Sequence, residues 1–575
     1  MQPRHAFLRN LLLTGGAICT LFGTSTFAAE VTPQRLLNPD KEPQNWLMNH
    51  RSYDGQRFSP LDRINKGNAK SLKLVYAVAL GGTAGNESNE ATALAEDGFL
   101  YITDSWGVLY KIDGTSGDAG RIVWRMDPKQ ERQAVNRGAA FWGNYVVSAA
   151  NSPARMIATD KATGKIAWET NIAFDVPRVQ ITGAPLAIKD KIIVGAAGGD
   201  GGIRDWIAGL DAATGKVLWR KFTIPAPGEP GSETWKGNTN AWQTGGGAMW
   251  VTGTYDPDTN QTLWGVGNPV PQLDARVRPG DNLFTNSVVS WDPDSGRMNW
   301  YFQYTPGDMW DYDEVGTHIL FDRVIDGQAR RLVTHSARNG FVYTMERANG
   351  AMVGAKPYTD VNWTAGIDQK TGKPLDYDPN KDVQTYSGLA NPTADAPVKK
   401  VCPNRNGGNN YYPSSYSPKT QLLYIPAMTA CEFVSIDKDK PKTEKGWIPR
   451  SGGSFKVEDR YESNLTAVDP ATLEIKKSVH MRYPNYAGAL STAGGLVFIA
   501  LMDGTVAAYD DATLDELWKF NVGTGFAAPP MSFEVGGKQY VAIASGPSGP
   551  AKAKIRNTPE LNDQRSATML YVFGL

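Results

Sequence analysis

The stretch Asp160-Lys-Ala-Thr-Gly-Lys-Ile-Ala-Trp168 returns as Asp211-Ala-Ala-Thr-Gly-Lys-Val-Leu-Trp219, as Asp292-Pro-Asp-Ser-Gly-Arg-Met-Asn-Trp300 and, degraded, as Asp510-Asp-Ala-Thr-Leu-Asp-Glu-Leu-Trp518. A looser copy, Asp113-Gly-Thr-Ser-Gly, carries a small insertion and reaches Trp124. Each copy reads as a strand, a glycine-containing turn and a second strand that docks a tryptophan at one fixed point. Short β-rich runs such as Phe99-Leu-Tyr-Ile-Thr103, Lys191-Ile-Ile-Val194 and Leu496-Val-Phe-Ile499 precede the turns. Repeats spaced by about 45 to 80 residues, each holding several strands, predict propeller blades with inserted loops. Weaker turns at Glu346-Arg-Ala-Asn-Gly350 and Asp469-Pro-Ala-Thr-Leu473 bring the visible turns to seven, which predicts seven or eight blades. From Val353 to Asn409 the rhythm breaks into a polar, Pro- and Asp-rich segment, read as a functional excursion over one face.

The 575 residues carry 41% apolar content and equal numbers of basic and acidic side chains. That length suits two ordinary domains or one large repeat domain. Zero net charge argues against nucleic acid or an anionic membrane as the main partner, since neither would be drawn electrostatically. The N-terminus is basic through Arg4 and Arg9, and a modest apolar core from Leu11 to Phe22 ends near Ala28 and Ala29. This reads as a cleaved secretory signal over residues 1–29, leaving a single exported, periplasmic domain over 30–575. Without the signal two cysteines remain, Cys402 and Cys431, and an even pair in an oxidising compartment suggests one disulfide. Two cysteines cannot build a thiolate zinc cluster or a Cys-x-x-Cys-His haem site, so a covalent electron carrier is expected on another protein.

A second stretch bears on chemistry. Pro306-Gly-Asp308-Met-Trp-Asp311-Tyr-Asp313 sets three acidic residues and two aromatics in eight positions. Carboxylates so close repel one another unless a cation, a proton or water separates them. Upstream lie Gly198-Gly-Asp200-Gly-Gly202 and Gly267-Asn268-Pro269. Asp200, Asn268, Asp311 and Asp313 form an oxygen-rich set suited to a hard cation such as calcium or a trivalent lanthanide. Downstream, Arg338 in Ser336-Ala-Arg338-Asn339-Gly340 adds a permanent cation able to steady a developing oxyanion.

With Asn89-Glu90-Ala-Thr92, Val135-Asn-Arg137-Gly138, Ile181-Thr182-Gly-Ala-Pro185, Gly245-Gly-Gly-Ala-Met-Trp250, Asp281-Asn-Leu-Phe284 and Phe526-Ala-Ala-Pro-Pro530 in order, the mature chain resembles the pyrroloquinoline quinone (PQQ) dependent alcohol dehydrogenases, the soluble quinoproteins that include methanol dehydrogenase. The resemblance implies an all-β, eight-bladed β-propeller of four-stranded antiparallel blades with tryptophan-docking turns. It implies that Trp250 forms a floor under the PQQ ring, that Glu90, Arg137, Thr182 and Asn410 hold its carboxylates and carbonyls, and that Asp200 and Asn268 ligate the metal. Asp311 then corresponds to the catalytic base, and Arg338 to the cation beside the reactive carbonyl. Asp313 stands where lanthanide-using members carry an extra Asp, so a lanthanide is expected over calcium.

The implied reaction takes the hydroxyl proton onto Asp311 and hydride onto the quinone, with electrons passed to a soluble periplasmic carrier such as a cytochrome c. A homodimer is one assembly this reading admits. Cys402 and Cys431 match a family disulfide that ties the excursion back to its blade and brings Asn410 toward the cofactor. Two departures stand out: Asp200 replaces the usual Glu, and Glu131-Arg132 stands where most relatives carry two adjacent cysteines capping the ring. The Arg132 guanidinium is a candidate replacement for that cap. Alternative readings are a quinoprotein for sugars or bulky secondary alcohols, whose membrane relatives also lack the cysteine pair, and a non-catalytic exported propeller scaffold.

Overall fold

The computed structural model describes residues 1, 29–81, 88–174, 176, 178–237, 240–389, 394–439, 452–457, 459–546, 555 and 557–575. Apart from Met1 and Ala29, the expected secretory signal lies outside the described residues.

The chain is an all-β propeller. Among the described residues, eight sheets, each with four antiparallel strands, cover 94–126, 140–171, 186–222, 254–303, 319–357, 415–481, 489–521 and 531–574, and Phe58–Ser59 adds a fifth, parallel strand beside Ala489–Thr492. Neighbouring strands are paired in sequence order, the arrangement short turns favour. There are exceptions: in the 415–481 sheet Leu422–Met428 pairs with Ser463–Asp469 across the additional strands between them, and in the last sheet the fourth strand is Lys73–Ala79, paired with Met569–Gly574, so that chain from near the start completes the sheet built at the end. Within a sheet, burial falls from first strand to last. All of Leu186–Ile188 is buried, whereas Val217–Phe222 in the same sheet is partly exposed.

Three of the repeated tryptophans reach from one sheet to the next. Register slips by one residue where Gly209 faces Trp219 while Leu210 faces Val217, and a matching slip separates Ile166 from Trp168. Such a bulge turns the ring out of its own sheet. The indole N–H groups of Trp124, Trp168 and Trp219 donate to Lys161 O, Ala212 O and Pro293 O in the following repeat, at 3.2, 3.2 and 3.1 Å. The turn glycine is required there: at Gly164, where φ is +72°, a Cβ would lie 2.7 Å from the Trp124 ring.

The irregular chain begins later than the expected 353, because Met352–Pro357 is the fourth strand of its sheet. Beyond it, Lys399–Val401, Glu432–Ile436 and Gly453–Lys456 form an additional three-stranded sheet. The Cys402–Cys431 disulfide joins this region, with Cα atoms 4.5 Å apart. Fully buried Trp363 packs against Trp310, Tyr312 and Tyr386, and its indole donates to Asn339 O at 2.8 Å. Tyr386 donates to Pro306 O at 2.6 Å and Tyr312 to Pro403 O at 2.5 Å. The excursion thus clamps the acidic stretch from both ends.

Candidate active site

In an antiparallel sheet the start of the first strand and the turn after the second lie at the same end. Glu90, Arg137, Thr182 and Trp250 precede the first strands Leu94–Glu96, Ala140–Trp142, Leu186–Ile188 and Thr254–Asp256. Asp200, Asn268 and Arg338 follow the second strands Lys191–Gly195, Gln261–Gly265 and Gln328–Ser336. Those seven residues therefore converge on one end of the molecule. There, with Asn410, Asp311 and Asp313, they line a cavity of about 930 Å³.

Asp313 is the centre of the acidic wall. Its Oδ1 accepts the Asn268 backbone N–H at 2.5 Å, and its Oδ2 accepts the Trp250 indole N–H at 3.2 Å and pairs with Arg338 Nη1 at 2.5 Å. Gly267 makes this approach possible, because a Cβ there would stand 2.5 Å from Oδ1. Burial raises the Asp313 pKa, Arg338 opposes that rise and Asp200 adds to it. Arg338 also stands 3.6 Å from Asp311. Burial alone would lower its pKa, but Asp313 and Asp311 hold the guanidinium above its ordinary range. Its backbone N–H donates to buried Glu314 at 2.8 Å and its Nε to Arg405 O at 2.6 Å, so strand and excursion both hold it.

Asp311 has φ +66°, a left-handed conformation that Asp tolerates better than most side chains. Gln272 Nε2 donates to Asp311 Oδ1 at 3.0 Å and to Asp200 Oδ1 at 2.9 Å. The third acid, Asp308, belongs to the scaffold: it accepts the Trp310 and Tyr312 backbone N–H groups, each at 3.0 Å. Its burial pushes its pKa up to about 6.

On the other part of the lining, the Arg137 guanidinium lies 4.6 Å from the Trp250 ring centroid and 4.7 Å from that of Tyr411. It pairs with Glu90 at 2.7 Å and donates to Thr182 Oγ1 at 3.0 Å. Glu90, Arg137, Thr182 and Trp250 are thus one connected group, although Arg137 rather than open space covers Trp250. Asn410 lines the cavity, with its amide donating to Asn406 O at 3.1 Å. Arg132 is exposed and outside the lining, so the structure does not bring it to the others. Arg405 does line the cavity, with its guanidinium 4.1 Å from the Phe455 ring centroid.

The donor set fits a hard cation by its chemistry, since Asp200, Asn268, Asp311 and Asp313 all offer oxygen from one wall. Among the described residues, no three His, Cys, Asp or Glu side chains close on a single point. Gln272 bridges two of these donors through its amide. A planar, acidic cofactor fits the remaining lining, which combines the Trp250 and Tyr411 rings with Arg137, Arg405 and Lys456. Sequence reasoning missed Gln272, Tyr411, Arg405 and Glu314. Gln272 lies close beyond the Gly-Asn-Pro turn and Tyr411 beside Asn410, which is the only local signal either carries.

The profile of the family described as "PQQ: Glucose/ethanol/alcohol dehydrogenase, beta-propeller domain" matches residues 46–362 and 456–541. The chain belongs to this family of PQQ-dependent alcohol dehydrogenases. It is 33% identical to the quinohemoprotein alcohol dehydrogenase ADH-IIG of Pseudomonas putida, over 93% of this chain and 78% of that one. It is 32% identical to the quinoprotein alcohol dehydrogenase PedH of the same species, over 91% and 89%. A solved europium-containing methanol dehydrogenase superposes with a TM-score of 0.84 at 28% identity, covering 94% of this chain and all (100%) of that one.

Proposed function

We propose that the chain is an exported PQQ-dependent dehydrogenase oxidising an alcohol to an aldehyde or ketone, with Asp311 as general base and a lanthanide favoured over calcium. The convergence of Asp200, Asn268, Asp311, Asp313 and Arg338 on one cavity wall carries this reading. The two acids of the Asp-Tyr-Asp run divide the work. Asp313 already takes two N–H donors and a guanidinium, which suits it to holding charge in place. Asp311 is the carboxylate we assign to the substrate hydroxyl proton, with Gln272 orienting it and the Arg338 guanidinium 3.6 Å away. When bound, the quinone supplies the two-electron acceptor and the cation supplies Lewis acidity. Arg137, Glu90, Thr182, Trp250 and Asn410 would hold the cofactor, and Asp200, Asn268, Asp311 and Asp313 the ion.

The eight sheets, joined through tryptophan turns, are read as eight blades of one domain over 30–575, with a secretory signal before it. Among the described residues no helix is long and apolar enough to cross a membrane, which accords with a periplasmic enzyme passing electrons to a soluble cytochrome. A second reading, oxidation of sugars or bulky secondary alcohols, is favoured by the cavity. Its volume of about 930 Å³ lies near the top of the ~300–1,000 Å³ usual for ligand sites and exceeds what a cofactor and methanol require.

Reconstitution of the purified chain with PQQ plus calcium or a lanthanide tests the proposal, using alcohols, aldehydes and sugars with an artificial dye acceptor. Dye reduction with alcohols is the expected result. Absence of PQQ binding would refute the proposal, and preference for sugars would select the second reading.

A further inference from the structure

Asp205 stands immediately before the strand Trp206–Asp211 and is fully buried, at 0% exposure. Among the described residues, neither oxygen of its carboxylate has a hydrogen-bond partner. Its backbone cannot easily carry the side chain out to water: the amide donates to Gly246 O at 3.1 Å, and the carbonyl accepts Thr223 N and Oγ1, each at 3.1 Å. The carboxylate lies directly behind the ligand loop. A Cβ on Gly199, which lines the cavity beside Asp200, would meet Asp205 Oδ2 at 2.6 Å, Gly246 Cα at 3.1 Å and Ala248 Cβ at 3.3 Å. Small residues thus leave a gap that this carboxylate fills. Burial first, and then the neighbouring charges of Asp200 and Asp313, push its pKa well up.

A buried carboxylate facing two others and given no donor is costly in either protonation state. A cation on the cavity side removes that cost. We propose that Asp205 is a fourth carboxylate of the cation site, set one layer behind the cavity wall, where its charge favours a trivalent over a divalent ion. This rests on the reading of Asp200, Asn268, Asp311 and Asp313 as the cation's donors. Once a bound cation draws the proton from Asp205, four carboxylates and the Arg338 guanidinium sum to three negative charges, which a trivalent ion neutralises and a divalent ion does not. The effect comes through the field, because Gly199 separates Asp205 from the cavity. It therefore scales with the charge of the ion: a tenfold loss for a divalent ion corresponds to a loss of about thirtyfold for a trivalent one.

The test titrates terbium and calcium into the metal-free full chain, reading tryptophan-sensitised terbium luminescence directly and calcium by competition. Asp205→Asn, nearly isosteric, is expected to weaken terbium at least tenfold and calcium less, so that the terbium-to-calcium ratio falls. Unchanged affinities overturn the proposal, and so does an equal loss for both ions, the mark of mere repacking. Should the Asn variant misfold, Asp205→Ala takes the same readout with the same outcomes. Asp200→Ala separates this inference from the reading beneath it. If that variant loses terbium while Asp205→Asn does not, only the role of Asp205 fails; if neither changes, or the wild type binds no terbium, the cation site itself fails.

Discussion

Asp311→Asn tests the proposed base with little disturbance to its surroundings. Asn adopts the left-handed conformation at φ +66° as readily as Asp. Its Oδ1 can still accept the Gln272 amide, now 3.0 Å away. The lost attraction to Arg338, 3.6 Å distant, is ~4–5 kcal/mol gross at an effective dielectric of about 20. Relief from burying a charge offsets much of that, and Arg338 keeps Asp313 at 2.5 Å. Folding should therefore survive, and saturating PQQ and metal offset the weaker ion binding that loss of one donor charge brings. Turnover should not: losing a general base slows reaction by roughly two to four orders of magnitude, or ~2.7–5.5 kcal/mol of barrier. The assay is dye-linked turnover at saturating PQQ and metal, with occupancy checked by titration. Turnover within tenfold of wild type in a fully loaded variant would refute the assignment.

Asp313→Ala should weaken or reverse the preference for lanthanide over calcium in activation assays, and equal activation of the wild type by both ions would sink that expectation. Arg132→Ala should leave PQQ affinity within about twofold of wild type, because the side chain is exposed and off the cavity wall. Arg137→Ala should weaken PQQ about tenfold or more, the worth of one charge-assisted hydrogen bond; the reverse ranking by titration would restore Arg132 as the cap. Asp308, pushed up to about 6 from an ordinary 3.8, contributes stability that is complete below pH 3.8 and lost as pH rises through 6. That loss is ~3 kcal/mol, and Asp308→Asn should flatten the unfolding profile between those values in thermal scans across pH; an unaltered slope would contradict it.

The Gly-Trp turns were readable because their chemistry is local: a positive-φ glycine, a bulge and an indole a few residues on recur together. Family order likewise named Glu90, Arg137, Thr182, Trp250, Asp200, Asn268, Asp311, Asp313 and Arg338, all of which line one cavity. Local sequence could not apportion the acids of Asp308 to Asp313, because the donors that distinguish them arrive from elsewhere. Asp308 takes backbone amides of its own turn, while Asp313 takes Asn268, Trp250 and Arg338 from three other connections. Nor could it place Arg132 outside the cavity lining, since its exposure depends on how its loop leaves the sheet.

Repetition and residue chemistry along the chain thus determined the propeller class, the cofactor family and many of the residues that line the cavity. Which carboxylate faces which cation, and where Gln272, Tyr411 and Asp205 stand, was decided only when separate sheets brought their ends together. Electrostatic and hydrogen-bonding roles depend on neighbours in space, and those neighbours lie up to hundreds of residues apart along the chain.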